Sequence, residues 1–144
     1  MITVILDTNV ILQSLISPRM SSSVMVMERY FDGQFNLVFS NDTLNELINV
    51  LSMERMRARH RYSDDKLIEF INSLMDKGRC LTVTEKVSAR LTHDITDTKF
   101  LALARASGAD YLVTNDSRHL LPIGRFHETA IVRPSEFLSV ISQQ

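Results

Sequence analysis

DITDTKFLALARASGADYLVTND, residues 94–116, reads as a helix that runs directly into a strand. Phe100, Leu101, Leu103 and Ala104 recur at helical spacing, Gly108 stops the helix, and Tyr111, Leu112 and Val113 form a short apolar run suited to a buried strand. Asp97 therefore enters a helix and Asp116 leaves a strand. Groups just beyond the carboxyl ends of parallel strands face a common crevice, so a carboxylate there stands where ligands bind.

A second exit of the same kind opens the chain. Ile2 to Leu6 is an unbroken apolar and β-branched run, ended by Asp7, Thr8 and Asn9. The two exits lie about a hundred residues apart and become neighbours if their strands pair.

Working outward, strands are expected at Phe35 to Phe39 and Cys80 to Val83, with a weak edge strand at Ala130 to Val132. Helices are expected over Val10 to Leu15, from the Ser21–Ser23 hydroxyl caps through Phe31, and from an Asn41 or Asp42 cap with Leu44, Leu47, Ile48 and Leu51 inward. Ser63 or Asp64 opens another, with Leu67, Ile68, Ile71, Leu74 and Met75 inward, and Pro134 begins the last. The stretch from Thr84 to His93 is poorly patterned, with a short helix expected around Val87 to Leu91. Strands alternating with helices predict a three-layer α/β/α sandwich with a central parallel sheet. Right-handed crossovers place every strand exit on one edge, so Asp7, Glu46, Asp97 and Asp116 are expected to converge.

The 144 residues suit one domain over 1–144, and no internal repeat or linker interrupts them. The net charge of −1 advertises no global attraction to nucleic acid, so a polyanionic partner must be held by local charge or metal. Cys80 is the one cysteine, which excludes an intramolecular disulfide framework. No signal-like or membrane-spanning segment stands out, so a cytoplasmic protein without membrane contact is expected.

Four carboxylates in one crevice repel, and each raises the pKa of its neighbours. A hard divalent cation resolves the conflict. Mg²⁺ takes oxygen ligands and is commonly held by a few carboxylates together with substrate phosphates, and such ions activate water and stabilise phosphoryl charge. Phosphodiester hydrolysis follows as the expected chemistry. Zinc fits less well, because Cys80 stands alone and the histidines show no paired ligand spacing.

ILDTNV at 5–10, LNELINVL at 44–51, DTKFLALA at 97–104, GADYLVTND at 108–116 and RPSEFL at 133–138 together resemble the PIN domains, Mg²⁺- or Mn²⁺-dependent ribonucleases. The resemblance matches Asp7, Glu46, Asp97 and Asp116 to the family's metal-binding acids and Thr8, Asn9 and Thr114 to the polar residues that orient them. Thr96 and Thr98 stand where many relatives carry further acids. Within the family the chain is similar to the toxin components of toxin–antitoxin systems, the VapC toxins. That likeness implies an RNA substrate, a cognate antitoxin that occludes the crevice, and a homodimer.

Each residue also has an ordinary reading. Asp7 and Asp116 as solvated turn acids, Asp97 and Glu46 as first-turn acids complementing helix dipoles, and Asp94 as a simple N-cap are the alternatives to metal work. Asp94 as a cap is preferred over Asp94 as a more distant ligand. Thr8, Asn9, Thr114 and Asn115 are alternatively turn residues bonding the backbone. Arg55, Arg57, Arg59, His60 and Arg61 form a basic run for RNA phosphates or a solvated helix end. Met20, Met25, Met27, Met53 and Met56 fill the core or make an adaptable partner surface. His93, His119 and His127 read as structural or exposed, and Cys80 as a small buried hydrophobe.

Competing functions are weaker. A dehalogenase-type phosphatase has its nucleophilic aspartate at the same strand end but wants a second aspartate two residues later, where Asn9 stands. A receiver domain clusters its acids differently. A binding module that keeps the fold and acts by occupancy is the serious rival, and the presence of all four acids favours the enzyme.

Overall fold

The computed structural model describes residues 1–88, 90, 94 and 97–142. The expectations for His93 and Thr96, and the end of the short helix expected around Val87 to Leu91, lie outside the described residues. Val87 and Ser88 themselves belong to no helix, whereas Arg90 lies in a 3₁₀ turn.

Among the described residues six strands, β1 (Thr3–Leu6), β2 (Asn36–Ser40), β3 (Arg79–Leu81), β4 (Tyr111–Val113), β5 (Arg125–Phe126) and β6 (Thr129–Val132), form one sheet in the order β3-β2-β1-β4-β6-β5. Every pairing is parallel except that of β5 with β6. Successive side chains alternate between two buried faces, which is why these strands read as continuous apolar runs. Val4, Leu6, Leu37, Phe39 and Val113 belong to one core, and Ile5, Val38, Leu112 and Ile131 to the other.

The first core is covered by α1 (Thr8–Ile16), α2 (Ser22–Phe31), α3 (Asn41–Ser52), α5 (Asp64–Lys77) and α7 (Pro134–Ser142), with Met56 of the short α4 (Glu54–His60) packed against it. The second is covered by α6 (Thr98–Ser107), through Phe100, Leu101, Leu103 and Ala104. The expected three-layer α/β/α arrangement is the one observed, with an antiparallel strand at one margin. Gly108 ends α6 in the left-handed region at φ 64°, as its position predicts.

The chain lays β2 and β3 on one side of β1 and then returns to place β4 on the other. Strand order therefore reverses between β1 and β4, and the crevice beyond their carboxyl ends is the expected ligand site of an open α/β sheet. The two exits are tied together, since the Asp7 N–H donates to the Val113 carbonyl at 2.9 Å.

Four local expectations are corrected. Ala130 to Val132 is not at the edge, because the two-residue β5 pairs outside it. Ser40, not Asn41 or Asp42, caps α3. Its hydroxyl accepts from Thr43 N at 3.0 Å and its N–H donates to the Thr43 hydroxyl at 2.9 Å, a reciprocal box. Cys80 is exposed, because β3 is an edge strand. Ile48 and Ile68 are 40% and 58% exposed rather than inward.

Candidate active site

Asp7 and Asp97 both occupy N-cap positions, before α1 and α6, where a short acid ordinarily accepts from the second or third N–H of its helix. Neither side chain makes a capping bond. Both carboxylates are turned to other work, which weakens the reading of either as a plain helix acid.

Asp7 is 6% exposed. Its Oδ2 accepts from the Thr114 hydroxyl at 2.7 Å and from Asn9 Nδ2 at 3.2 Å. Burial pushes its carboxyl up to about 6 against an ordinary 3.8; the Thr114 bond opposes the rise, and the charges of Glu46 and Asp116 add to it. Thr114 is fully buried at the end of β4, and its hydroxyl also accepts from Asp116 N at 2.9 Å. One hydroxyl thus registers both strand-exit acids. Asn9 Oδ1 accepts from the backbone N–H of Asn115 at 3.3 Å, so Asn115 joins the site through its main chain while its side chain is exposed.

Asp97 is pushed up to about 7, first by burial, then by the charge of Asp116 and a hydrogen bond with it, and further by Asp7 and Asp94. Its Oδ2 is buried and has no hydrogen-bond partner. Asp116 Oδ1 accepts from the N–H groups of Arg118 and His119, both at 3.0 Å, a side-chain turn that fixes the loop after β4. Asp94 is not the cap of α6, since Asp97 stands there. Its carbonyl accepts from Asp97 N at 3.2 Å, and its charge bears on the Asp97 carboxyl.

Glu46 reaches the crevice from α3. Its Oε2 accepts from the Thr8 hydroxyl, and its Oε1 is paired with Lys99 Nζ at 2.9 Å. The four acids are therefore brought together from β1, α3, α6 and β4. Among the described residues, however, no three of His, Cys, Asp or Glu are drawn close enough to enclose an ion. Two of them are engaged by other groups, Asp7 by the Thr114 hydroxyl and Glu46 by the Thr8 hydroxyl and the Lys99 ammonium. Lys99 had no role in the sequence reading, because only the packing of α6 beside α3 brings it to Glu46, 53 residues away in the chain.

The basic run divides. Arg57 serves the fold, its Nε donating to the Ser52 carbonyl at 3.1 Å and its Nη1 pairing with Asp64. His60 is buried, with Nε2 2.9 Å from the Leu51 carbonyl and Nδ1 accepting from Tyr62 N, so the ring serves the fold rather than a phosphate. Arg55, Arg59 and Arg61 are exposed. Met27 is buried, whereas Met20 and Met53 are exposed. His119 is half-buried and His127 lies exposed, edge-on to Phe126. An apolar hollow of about 440 Å³ lies between α3 and α5, lined by Ile48, Leu51, Leu67, Ile68 and Ile71, and none of the acids reaches it. That hollow and the four acids are thus in different places, and the acids are the better guide to reaction.

A family model of the PIN domain matches residues 3–118, from β1 to just past Asp116. The chain belongs to the PIN domain family. PIN domains are generally nucleases and typically use divalent metals. A solved structure, that of FitAB bound to the IR36 DNA fragment, is similar to this PIN domain with a TM-score of 0.56 and 15% identity, covering 91% of this chain and 94% of that one. At that identity the likeness carries the fold alone. Among curated proteins none matches. Within the described residues of this PIN domain no helix is long and apolar enough to cross a membrane.

Proposed function

We propose that the protein is a metal-dependent endoribonuclease that hydrolyses RNA phosphodiester bonds, with Asp7, Glu46, Asp97 and Asp116 as the acids serving Mg²⁺ or Mn²⁺. The observation that carries this reading is the gathering of four carboxylates at one sheet edge with the Asp97 Oδ2 atom buried and unpartnered. A buried acceptor without a donor is costly, and an all-oxygen set suits a hard dication. A bound divalent ion supplies an activated water and offsets charge building on the phosphoryl oxygens. Thr114 and Asn9 orient Asp7, Thr8 orients Glu46, and the Asp116 turn holds the β4 exit. Ion binding requires the carboxylates to turn toward one another.

The likeness to the toxin components adds the finer reading, that of the toxin of a toxin–antitoxin pair, working as a cytoplasmic homodimer restrained by its antitoxin. The exposed Arg55, Arg59 and Arg61 support contact with a polyanion. A second reading, a PIN-fold module that binds without cutting, is favoured by the separation of the acids.

Cleavage of single-stranded RNA by purified protein, with Mn²⁺ or with chelator, beside Asp97→Asn, tests the proposal. Metal-dependent cutting that the variant loses is expected. Cutting retained in Asp97→Asn, or wild-type binding of RNA without cutting in Mn²⁺ across diverse RNAs, would overturn it.

A further inference from the structure

We propose that the Lys99 ammonium is a built-in second cation, seated on Glu46 Oε1 at 2.9 Å, which fills that half of the crevice and leaves Asp7, Asp97 and Asp116 to take a single divalent ion. The inference rests on the metal-nuclease reading above and narrows its ligand set.

Both carboxylate oxygens of Glu46 are committed, Oε1 to Lys99 and Oε2 to the Thr8 hydroxyl. Lys99 and Glu46 are 24% and 21% exposed, so the pair is partly withdrawn from water and stronger than a free surface bridge. A divalent ion ligated by Glu46 would share with the ammonium a carboxylate whose single negative charge is already balanced. Two cations crowded onto one carboxylate repel, so either the ammonium or the ion holds it.

The crevice has two halves joined at Asp7. On one side stands Glu46 with Lys99, and Glu46 bears on Asp7. On the other stand Asp97 and Asp116, whose charges act on each other, with the Oδ2 of Asp97 buried and without a hydrogen-bond partner. The first half is balanced by its own ammonium, whereas the second holds the buried acceptor that a cation would satisfy. Lysine suits this duty because it delivers a compact point charge on a long stem, and such an ammonium also binds phosphate. Lys99 also lines a hollow of about 280 Å³ together with Asp42, Glu85, Lys86 and Thr98. Lys99 is therefore a positioning residue that sets the ion count.

The test is Mn²⁺ titration of the purified chain, counting bound ion by the electron paramagnetic resonance of free Mn²⁺, for wild type, Lys99→Gln, Lys99→Arg, Glu46→Gln and the Glu46→Gln/Lys99→Gln pair. Expected are one ion for wild type, two for Lys99→Gln, and one again for Lys99→Arg and for the double variant. A Lys99→Gln protein that folds and still binds one ion with unchanged affinity would make the bridge merely structural and overturn the inference, as would two ions in wild type. Glu46→Gln leaves the ammonium unpaired beside the crevice, so its Mn²⁺ affinity is expected to fall, whereas the Glu46→Gln/Lys99→Gln pair removes both charges and is expected within about threefold of wild type; a loss of about tenfold or more in that pair would overturn the inference by making Glu46 a ligand. Absence of bound Mn²⁺ in every protein would instead overturn the metal reading itself, and this inference with it.

Discussion

Asp7 carries a charge where burial opposes it. Its carboxyl is raised from 3.8 to about 6, so at pH values between these the folded state holds a proton that the unfolded chain has released. Stability then falls as pH rises through that window, and the full cost, on the order of 3 kcal/mol for a shift of about two units, is present above the folded value. Asp7→Asn removes the charge and keeps an oxygen that accepts from Thr114. In urea unfolding with chelator, the variant is expected to exceed wild type by roughly 1–3 kcal/mol at pH 8, with the gap closing near pH 4. A variant less stable than wild type at pH 8 would mean that the carboxylate is better solvated than its burial implies. Asp7 and Asp97 were legible in the sequence because a strand exit and a helix start are local patterns. Lys99 was not, because its importance depends on which acid faces it across two helices.

Gly78, at the junction of α5 and β3, shows how an element boundary is set by what lies beside it. Its backbone is extended rather than left-handed, so the demand for glycine is steric. A Cβ there would lie 2.8 Å from the Leu74 carbonyl oxygen and 3.1 Å from the Tyr30 hydroxyl. That hydroxyl donates to the same carbonyl at 2.6 Å from a ring 1% exposed, and burial pushes the phenol up to about 12. Gly78→Ala is expected to cost about 1–3 kcal/mol in thermal or urea unfolding, through crowding of a packed junction. A change under about 0.5 kcal/mol would show that the α5–β3 turn yields freely. The start of α5 itself was readable from Ser63, and the strands were readable because both their faces are apolar. Two features escaped for want of local signal. β5 is only Arg125–Phe126, too short for any period, and the exposure of Cys80 follows from the place of β3 at the sheet edge, which no window around residue 80 contains.

Across the whole molecule, the acid crevice links ion binding, proton binding and stability. Asp7 and Asp97, raised to about 6 and about 7, are largely protonated at pH 5, so a cation entering there must displace protons. At pH 8 both are ionised and repel Asp116 and each other, and the same cation meets an empty, strained set of acceptors. Ligand that binds only the folded state stabilises it by about 2.7 kcal/mol at a hundredfold excess over Kd, which for a chain of this size raises Tm by roughly 5–10 °C. Saturating Mn²⁺ is therefore expected to raise Tm by several degrees at pH 8, to do little at pH 5, and to lose its effect with chelator or in Asp97→Asn. The fold alone predicts none of this pH dependence, which comes from two carboxyls that burial raises into the range between pH 5 and pH 8. A Tm shift of equal size at both pH values, surviving Asp97→Asn, would place the bound ion outside the crevice and remove the physical basis for assigning hydrolysis to these four acids.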